Sequence, residues 1–363
     1  MEFGPKESKR FQIETLLADE ISDGRYGPSD RFPSERSLAV KYGVSRQTIR
    51  IVIMSLQRRG LVYRRQGKGT FVSPPSAGKS ARIGLLVSGG RYTEIFRSIC
   101  AGLAEIARER RIGLETADVS GSDPDAIASA AERAAKDFVK RGFSGVVFQP
   151  LQFSTEAKKV NRRIANRLAA AGVPVVLIDC DIEPFPERSV YDLVGINNFE
   201  AGLRVGRHLA EAGARRVGFL VDAGFADSVR FRMFGAAGVL RGRFAGEIQV
   251  APGDGPVAIA QELKAHPGLD ALICQNDLMA IRAIEALGTM GMKVPEDVLV
   301  AGFDDVGAAA AAHLTSVRQP CRQIAQVAFQ RLLARMKSPD LAPAEVFLDA
   351  PLVRRESTRA TRA

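Results

Sequence analysis

A chain of 363 residues is longer than one typical domain and suits two or three, and its 46% apolar content can build ordinary cores. With apolar runs as short as "VPVVLI" at 173–178 and a polar, charged start, "MEFGPKESKR", neither a membrane span nor a secretory leader is expected; four scattered cysteines without a C-x-x-C pair argue against a disulfide framework or a zinc site and fit a reducing cytoplasm. The net charge of +10 is lopsided, because residues 1–80 hold 15 Lys and Arg against 8 Asp and Glu, so a polyanion partner is expected for that end.

Phe11, Ile13, Leu16, Leu17, Ala18 and Ile21 recur at helical spacing and predict a helix over 11–27 that stops near Gly24 and Gly27. Ser34 is a suitable N-cap for a second helix with Leu38, Ala39 and Val40 on its buried face, and Gly43 ends it. Ser45 starts a third, "SRQTIRIVIMSLQRRG", with Ile49, Val52, Ile53 and Leu56 on one side and Gly60 as its stop. "LVYRRQGKGTFVS" alternates about Gly-Lys-Gly and predicts a hairpin. Helix, helix, turn, helix and hairpin in that order describe a winged helix-turn-helix over 11–73. Residues 74–81, within "SPPSAGKSA", read as a linker.

From 82 onward short apolar runs alternate with helical stretches. "IGLLV" 83–87, "GVVFQ" 145–149, "VPVVLID" 173–179, "RVGFLV" 216–221, "DALICQ" 270–275 and "VLVAGFDD" 298–305 predict strands. Helices are expected over 94–110, 123–141, 156–171, 199–212 and 277–291. The alternation predicts an α/β domain over 82–356, with parallel sheets and helices on both faces.

Several motifs imitate catalytic or nucleotide sites. "GDGPVA" at 253–258 has the glycine spacing of a dinucleotide loop, but Asp270 begins the next strand where an acid should end it, so the segment reads as a strand–helix turn with Pro256 at the first helical position. Gly67-Lys68-Gly69-Thr70 lacks the spaced first glycine of a P-loop. No nucleophile elbow appears, and His208, His266 and His313 are scattered. No catalytic residue, metal site or cofactor is expected.

No acidic residue lies between Glu35 and Glu94, while twelve Lys and Arg do. In a helix-turn-helix the second helix enters the major groove, where Arg pairs with guanine, Gln with adenine, and Ser or Thr with phosphates or base edges. Ser45, Arg46, Gln47, Thr48 and Arg50 occupy the first turns of that helix.

"FPSERSLAVKYGVSRQTIRIVIMSLQRRGLVYRRQGKGTFVS" resembles the GntR family of DNA-binding domains through its PSER, GVSR, T-x-R, GL and RRQGKGTFV segments. The resemblance implies DNA contacts by Arg36, Arg46, Thr48 and Arg50, with Gly67 and Lys68 in the minor groove. Ile51-Val52-Ile53 departs from that family's polar or small residues. Residues 82–356 resemble the effector domain of the LacI/GalR family, related to periplasmic sugar-binding proteins, through "VGINNFEAGLRVGRHLAEAGARRVGFL", "QNDLMAIRAIEALGTMGMKVPEDVLVAGFDD" and "LTSVRQP". That resemblance implies two lobes, about 82–188 with 318–337 and about 190–316 with 340–356, joined by three crossings around a ligand cleft.

Amides and carboxylates at the C-terminal ends of parallel strands suit polyol recognition, and apolar side chains suit the C–H face of a ring. Asp179, Asn276, Asp277, Asp304 and Gln319 lie at such ends, and Arg232 in "RFRMFG" matches the family's cleft arginine. Phe96 and Phe303 are expected as apolar faces, although Phe96 also reads as core. Asp305 and Asn198 read as helix caps. Cys180, Gln149-Pro150 and "GGRYT" depart from the family's pocket, and no Trp is present to stack on a ring.

The whole arrangement resembles arabinose-responsive repressors of this hybrid type. It implies a cytoplasmic homodimer that binds double-stranded operator DNA under the control of a small ligand, a monosaccharide. The alternative is a ligand-binding enzyme or nucleoside sensor with a GntR-type head.

Overall fold

The structure, a computed structural model, describes residues 9–27, 30–58, 61–65, 68–72, 81–87, 94–121, 123–152 and 155–359. The chain divides into two compact units at the 80/81 boundary.

In the first unit, α1 (Lys9–Ser22), α2 (Glu35–Tyr42) and α3 (Arg46–Arg58) precede β1 (Val62–Arg65) and β2 (Gly69–Val72). The strands pair antiparallel with Arg65 opposite Gly69. Ser34 caps α2 by accepting from the Ser37 N–H at 3.1 Å, and Gly43, at φ 61°, ends it in the left-handed conformation that glycine adopts without steric cost. The Ser45 hydroxyl likewise accepts from the Thr48 N–H at 3.1 Å and opens α3.

The core joins Ile13 and Leu17, Leu38, the α3 stripe Ile49, Val52, Ile53 and Leu56, and Val62 and Val72 of the wing. Each such burial contributes about 1.5–3 kcal/mol before chain entropy is counted. Val40, expected on the buried face, is 79% exposed, because Leu38 and Ala39 already fill the narrow side of a two-turn helix. Phe11 and Leu16 are also exposed, and α1 stops at Ser22, where a turn through Gly24 takes over.

The second unit has the expected α/β architecture. Its elements are β3 (Arg82–Leu86), α4 (Glu94–Glu109), β4 (Gly113–Thr116), α5 (Pro124–Lys140), β5 (Gly145–Phe148), α6 (Thr155–Ala170), β6 (Val175–Ile178) and β7 (Asp192–Ile196), then α7 (Asn198–Glu211), β8 (Val217–Asp222), α8 (Asp227–Leu240), β9 (Phe244–Val250), α9 (Pro256–Lys264), β10 (Ala271–Cys274), α10 (Asp277–Thr289), β11 (Leu299–Asp304), α11 (Gly307–Ala311), β12 (Thr315–Arg318), α12 (Cys321–Lys337), β13 (Glu345–Leu348) and β14 (Leu352–Val353).

Two six-stranded sheets result, in the orders β13-β7-β6-β5-β3-β4 and β14-β12-β11-β10-β8-β9. All neighbours run parallel except β14 against β12. The strands β3, β5, β6, β8, β10 and β11 are largely or wholly buried, as strands covered on both faces must be.

The chain passes between the sheets three times, at 197, at 319–320 and at 349–351. This moves the expected lobe boundaries. Residues 192–196 and 345–348 belong to the first lobe, because β7 pairs with β6 and β13 pairs with β7; Arg318 ends a strand of the second. Asp192, fully buried on β7, fastens the arrangement. It accepts from Arg331 and Arg335 of α12 and from the Ala344 N–H that leads into β13.

Helices α7 and α8 touch backbone to backbone. A Cβ on Gly202 would lie 1.8 Å from the Arg232 carbonyl oxygen, and one on Gly235 would lie 2.0 Å from that of Phe199, so only glycine fits at either place.

Candidate functional site

Two surfaces carry the predicted residues. On the first unit Arg36, Ser45, Arg46, Gln47 and Arg50 are exposed, Thr48 is half-buried, and Lys68 is exposed on the wing; Gly67 lies outside the described residues. Spacing along α3 explains the split, since its apolar positions face the core and its polar ones face outward. Ser45 and Thr48 also share a 2.8 Å hydroxyl contact, so both hold the start of α3 besides facing outward.

A shallow groove of about 850 Å3 brings Arg36 and Arg46 together with Arg31, Arg64 and Arg65, which sequence reasoning did not assign to the site. Arg64 pairs with Glu35, the acid within that lining, and the Arg65 guanidinium lies 5.6 Å from the Tyr63 ring. The signal for Arg64 and Arg65 was the acid-free run itself. Arg31 becomes part of the groove only because residue 31 bridges to Phe71 of the wing.

The second surface is a cleft of about 710 Å3 between the lobes. Its walls are the segments after β5, β6, β8, β9, β10 and β11, plus the first turn of α4, so it lies at the C-terminal edges of both sheets. Phe96, Asp179, Arg232, Asn276, Asp277 and Asp304 all line it.

At its floor Arg232 is 4% exposed. It donates to the Asn198 side-chain oxygen at 2.8 Å and to the Gln275 carbonyl at 2.9 Å, and lies 3.8 Å from Asp304 and 4.7 Å from the Phe303 ring. Asp179, just past β6, and Asp304, the last residue of β11, have φ of 73° and 110°, a strained conformation that aspartate tolerates better than most residues. Burial pushes the Asp304 carboxyl up to about 6, with Asp179 and Glu94 adding repulsion and Arg232 and Gln319 opposing. Burial raises Asp179 as well, against Arg232 and the Ser228 hydroxyl.

Five residues take roles other than those expected. Phe303 is fully buried beneath Arg232 and does not line the cleft, because its side chain lies on the core face of β11. Gln319 also stays behind the wall and donates to Asp304 at 3.0 Å, positioning that carboxylate. Asp277 spends both oxygens on the fold, accepting from Ser316 at 2.5 Å and from the Val306 N–H at 2.9 Å; burial first, then Asp304 and Asp305, push its carboxyl to about 7. Asn198 and Asp305 are not caps. Asn197 caps α7, which leaves Asn198 buried against Arg232, and Asp305 accepts from Arg318 and Arg355, each at 2.6 Å.

Asn276 caps α10, accepting from the Met279 N–H at 2.9 Å, and leaves its amide N–H2 without a partner among the described residues. Gln149, singled out only as a departure from a family pattern, lines the cleft with a buried Oε1 that has no hydrogen-bond partner among the described residues. Nearby Gln152 accepts from the Asp227 N–H at 2.9 Å, capping α8 from the opposite lobe, and Lys158 reaches Asp227 at 3.0 Å. Cys180 is buried, its thiol pushed well up by burial, and receives the Gln152 amide. "GGRYT" lies outside the described residues.

Among the described residues no group of three or more His, Cys, Asp or Glu is placed to hold a metal ion, and no helix is long and apolar enough to cross a membrane. "GDGPVA" is a turn into α9 with Pro256 in its first turn.

Residues 9–72 match the family described as bacterial regulatory proteins, gntR family, and residues 207–358 match the periplasmic binding protein-like domain. An arabinose metabolism transcriptional repressor of Geobacillus stearothermophilus is 25% identical over 97% of this chain and 98% of its own length. A LacI family transcriptional regulator from Enterococcus faecium with bound ribose superposes with a TM-score of 0.63 at 19% identity, over 77% of this chain and all of that one. A lac repressor dimer bound to operator superposes with a TM-score of 0.65 at 19% identity, over 78% of this chain and 95% of that one. The chain is a DNA-binding transcription regulator that joins a GntR-family helix-turn-helix domain to a periplasmic-binding-protein-like domain.

Proposed function

We propose that the cleft takes a monosaccharide and that its occupation changes the hold of a homodimer on a pseudo-palindromic operator, so that the chain acts in the cytoplasm as a repressor without catalytic activity. The observation that carries the ligand class is the cleft's polar inventory. A buried Gln149 acceptor without a partner among the described residues, the leftover Asn276 amide and the carboxylates Asp179 and Asp304 offer acceptors and donors on opposite lobes. Buried polar groups need partners, and a small polyol supplies several at once. The relatives named for arabinose and bound to ribose support the same class.

Arg46, Gln47 and Arg50 read base edges in this proposal, while Ser45, Thr48, Arg36 and the wing, with Gly67 and Lys68, hold the backbone. Ligand and DNA are then coupled through lobe closure by ~1–3 kcal/mol. The test is a thermal-shift screen of the full chain against pentoses and hexoses, followed by operator titration, on a duplex selected from random sequence, with and without the stabilising sugar. A stabilising pentose that changes operator affinity by roughly 5- to 150-fold is expected. Stabilisation by nucleosides alone favours the alternative sensor, and sugar turnover by the purified chain overturns the non-enzymic reading.

A further inference from the structure

We infer that the effector carries an anionic group, a phosphate or a carboxylate, at the end facing the cleft mouth, and that Arg97 from one lobe and Arg282 from the other hold it. The inference rests on the cleft being the monosaccharide site and specifies which members of that class it selects.

The charged groups of the lining fall into two sets. The inner set is already engaged. Arg232 bonds Asn198 and Gln275, Asp304 receives Gln319, Asp277 uses both oxygens, Asp222 receives Gln275, and Asp179 is held by Ser228. Among the described residues, the charged side chains of the lining that bond no other side chain are Glu94, Arg97 and Arg282. Arg97 stands one turn after Glu94 on α4 and makes no ion pair with it. Arg282, half-buried in the second turn of α10, is held by the Asp254 carbonyl at 3.4 Å, which fixes the guanidinium yet leaves most of its N–H groups to the cavity.

Two guanidiniums and one carboxylate are thus left on the lining, Glu94 and Arg97 exposed and Arg282 half-buried. Arginine presents a planar fork that matches phosphate or carboxylate in a bidentate manner. The first turn of the 16-residue α4 also lines the cavity, so the positive end of that helix adds to the field. Volume agrees as well. At about 710 Å3 the cleft falls within the range of about 300–1,000 Å3 that serves drug-sized ligands, roomier than a bare pentose requires. A sugar whose hydroxyls meet Asp179, Asp304 and Gln149, and whose anionic end reaches both arginines, spans the two lobes.

The experiment is calorimetric titration of the full chain with arabinose and ribose, the 5-phosphate of each, and the corresponding aldonates. Wild type is compared with the Arg97→Gln/Arg282→Gln double variant and with each single variant, their melting temperatures being checked first. We expect one anionic form to bind at least ~10-fold more tightly than its neutral parent, and the double variant to bring that ratio close to one. Which anion wins separates phosphate from carboxylate. A neutral parent that binds as tightly as both of its anionic forms, or a preference that survives in the double variant, overturns the inference while leaving the sugar cleft standing. No binding by any of the six compounds overturns both.

Discussion

On the helix-turn-helix face Arg36, Arg46 and Arg50 stand exposed, whereas in the cleft Arg232 is enclosed and bonded to Asn198, Gln275 and the field of Asp304. The same side chain thus does two different jobs. Exposed guanidiniums remain available to a polyanion, and their attraction is long-ranged and weakened by salt. An enclosed guanidinium is part of the wall. It stands beside Asp304, whose protonation should then make effector affinity depend on pH.

The strongest way to break this comparison is Arg46→Ala/Arg50→Ala. Each lost base contact should cost ~1–3 kcal/mol, so operator affinity falls by roughly 10-fold or more per residue while effector affinity stays at the wild-type value. Anisotropy titration at fixed salt, paired with calorimetry, reads both. Retained operator binding in the double variant would show that α3 does not read the groove.

Asp304 sharpens the comparison from the other side. Its carboxyl is raised to about 6, and a hydroxyl-bearing ligand bonds best to the ionised form. Effector affinity should therefore be level above about pH 7 and fall as pH drops through about 6 toward 5, by at most ~10-fold per unit for this one group. Asp304→Asn should bind about 10-fold more weakly at neutral pH, having lost a charge-assisted contact, and should show a smaller pH step. A wild-type affinity that is constant from pH 7.5 to 5 rules out hydroxyl contacts by this carboxylate.

The smallest expected effect belongs to Phe303→Leu. Because the ring lies in the core beneath Arg232, the variant should lose about 1 kcal/mol of stability in the sensor unit and keep effector affinity within about 3-fold. Denaturant midpoints and calorimetry together decide. A large affinity loss at unchanged stability would return the ring to the ligand.

The fold class and the order of the modules were legible because amphipathic spacing and strand–helix alternation are local signals. Helix α3 was legible for the same reason, since Ile49, Val52, Ile53 and Leu56 define its inner face and so its outer one. Lobe membership was not, because β13 is a four-residue strand whose partner β7 lies about 150 positions earlier. In the cleft the strand-end pattern did not reveal depth. Gln319 follows β12, Phe303 is the next-to-last residue of β11 and Asp277 starts α10, and only tertiary packing turns them toward Asp304, Arg232 and Ser316. Asn197 and Asn198 show how fine the distinction is, as one position separates a helix cap from the partner of the central arginine.

The glycine contact between α7 and α8 bears on any effort to redesign the cleft. Gly202 offers nothing to a ligand, yet its missing side chain lets the backbone of Arg232 settle against α7. A library that varies only cleft-facing side chains would keep this depth. One that randomises position 202 or 235 should shift α8 as a body, moving the arginine with it and erasing specificity gained elsewhere. Those two glycines are the positions to hold constant while the pocket is redesigned.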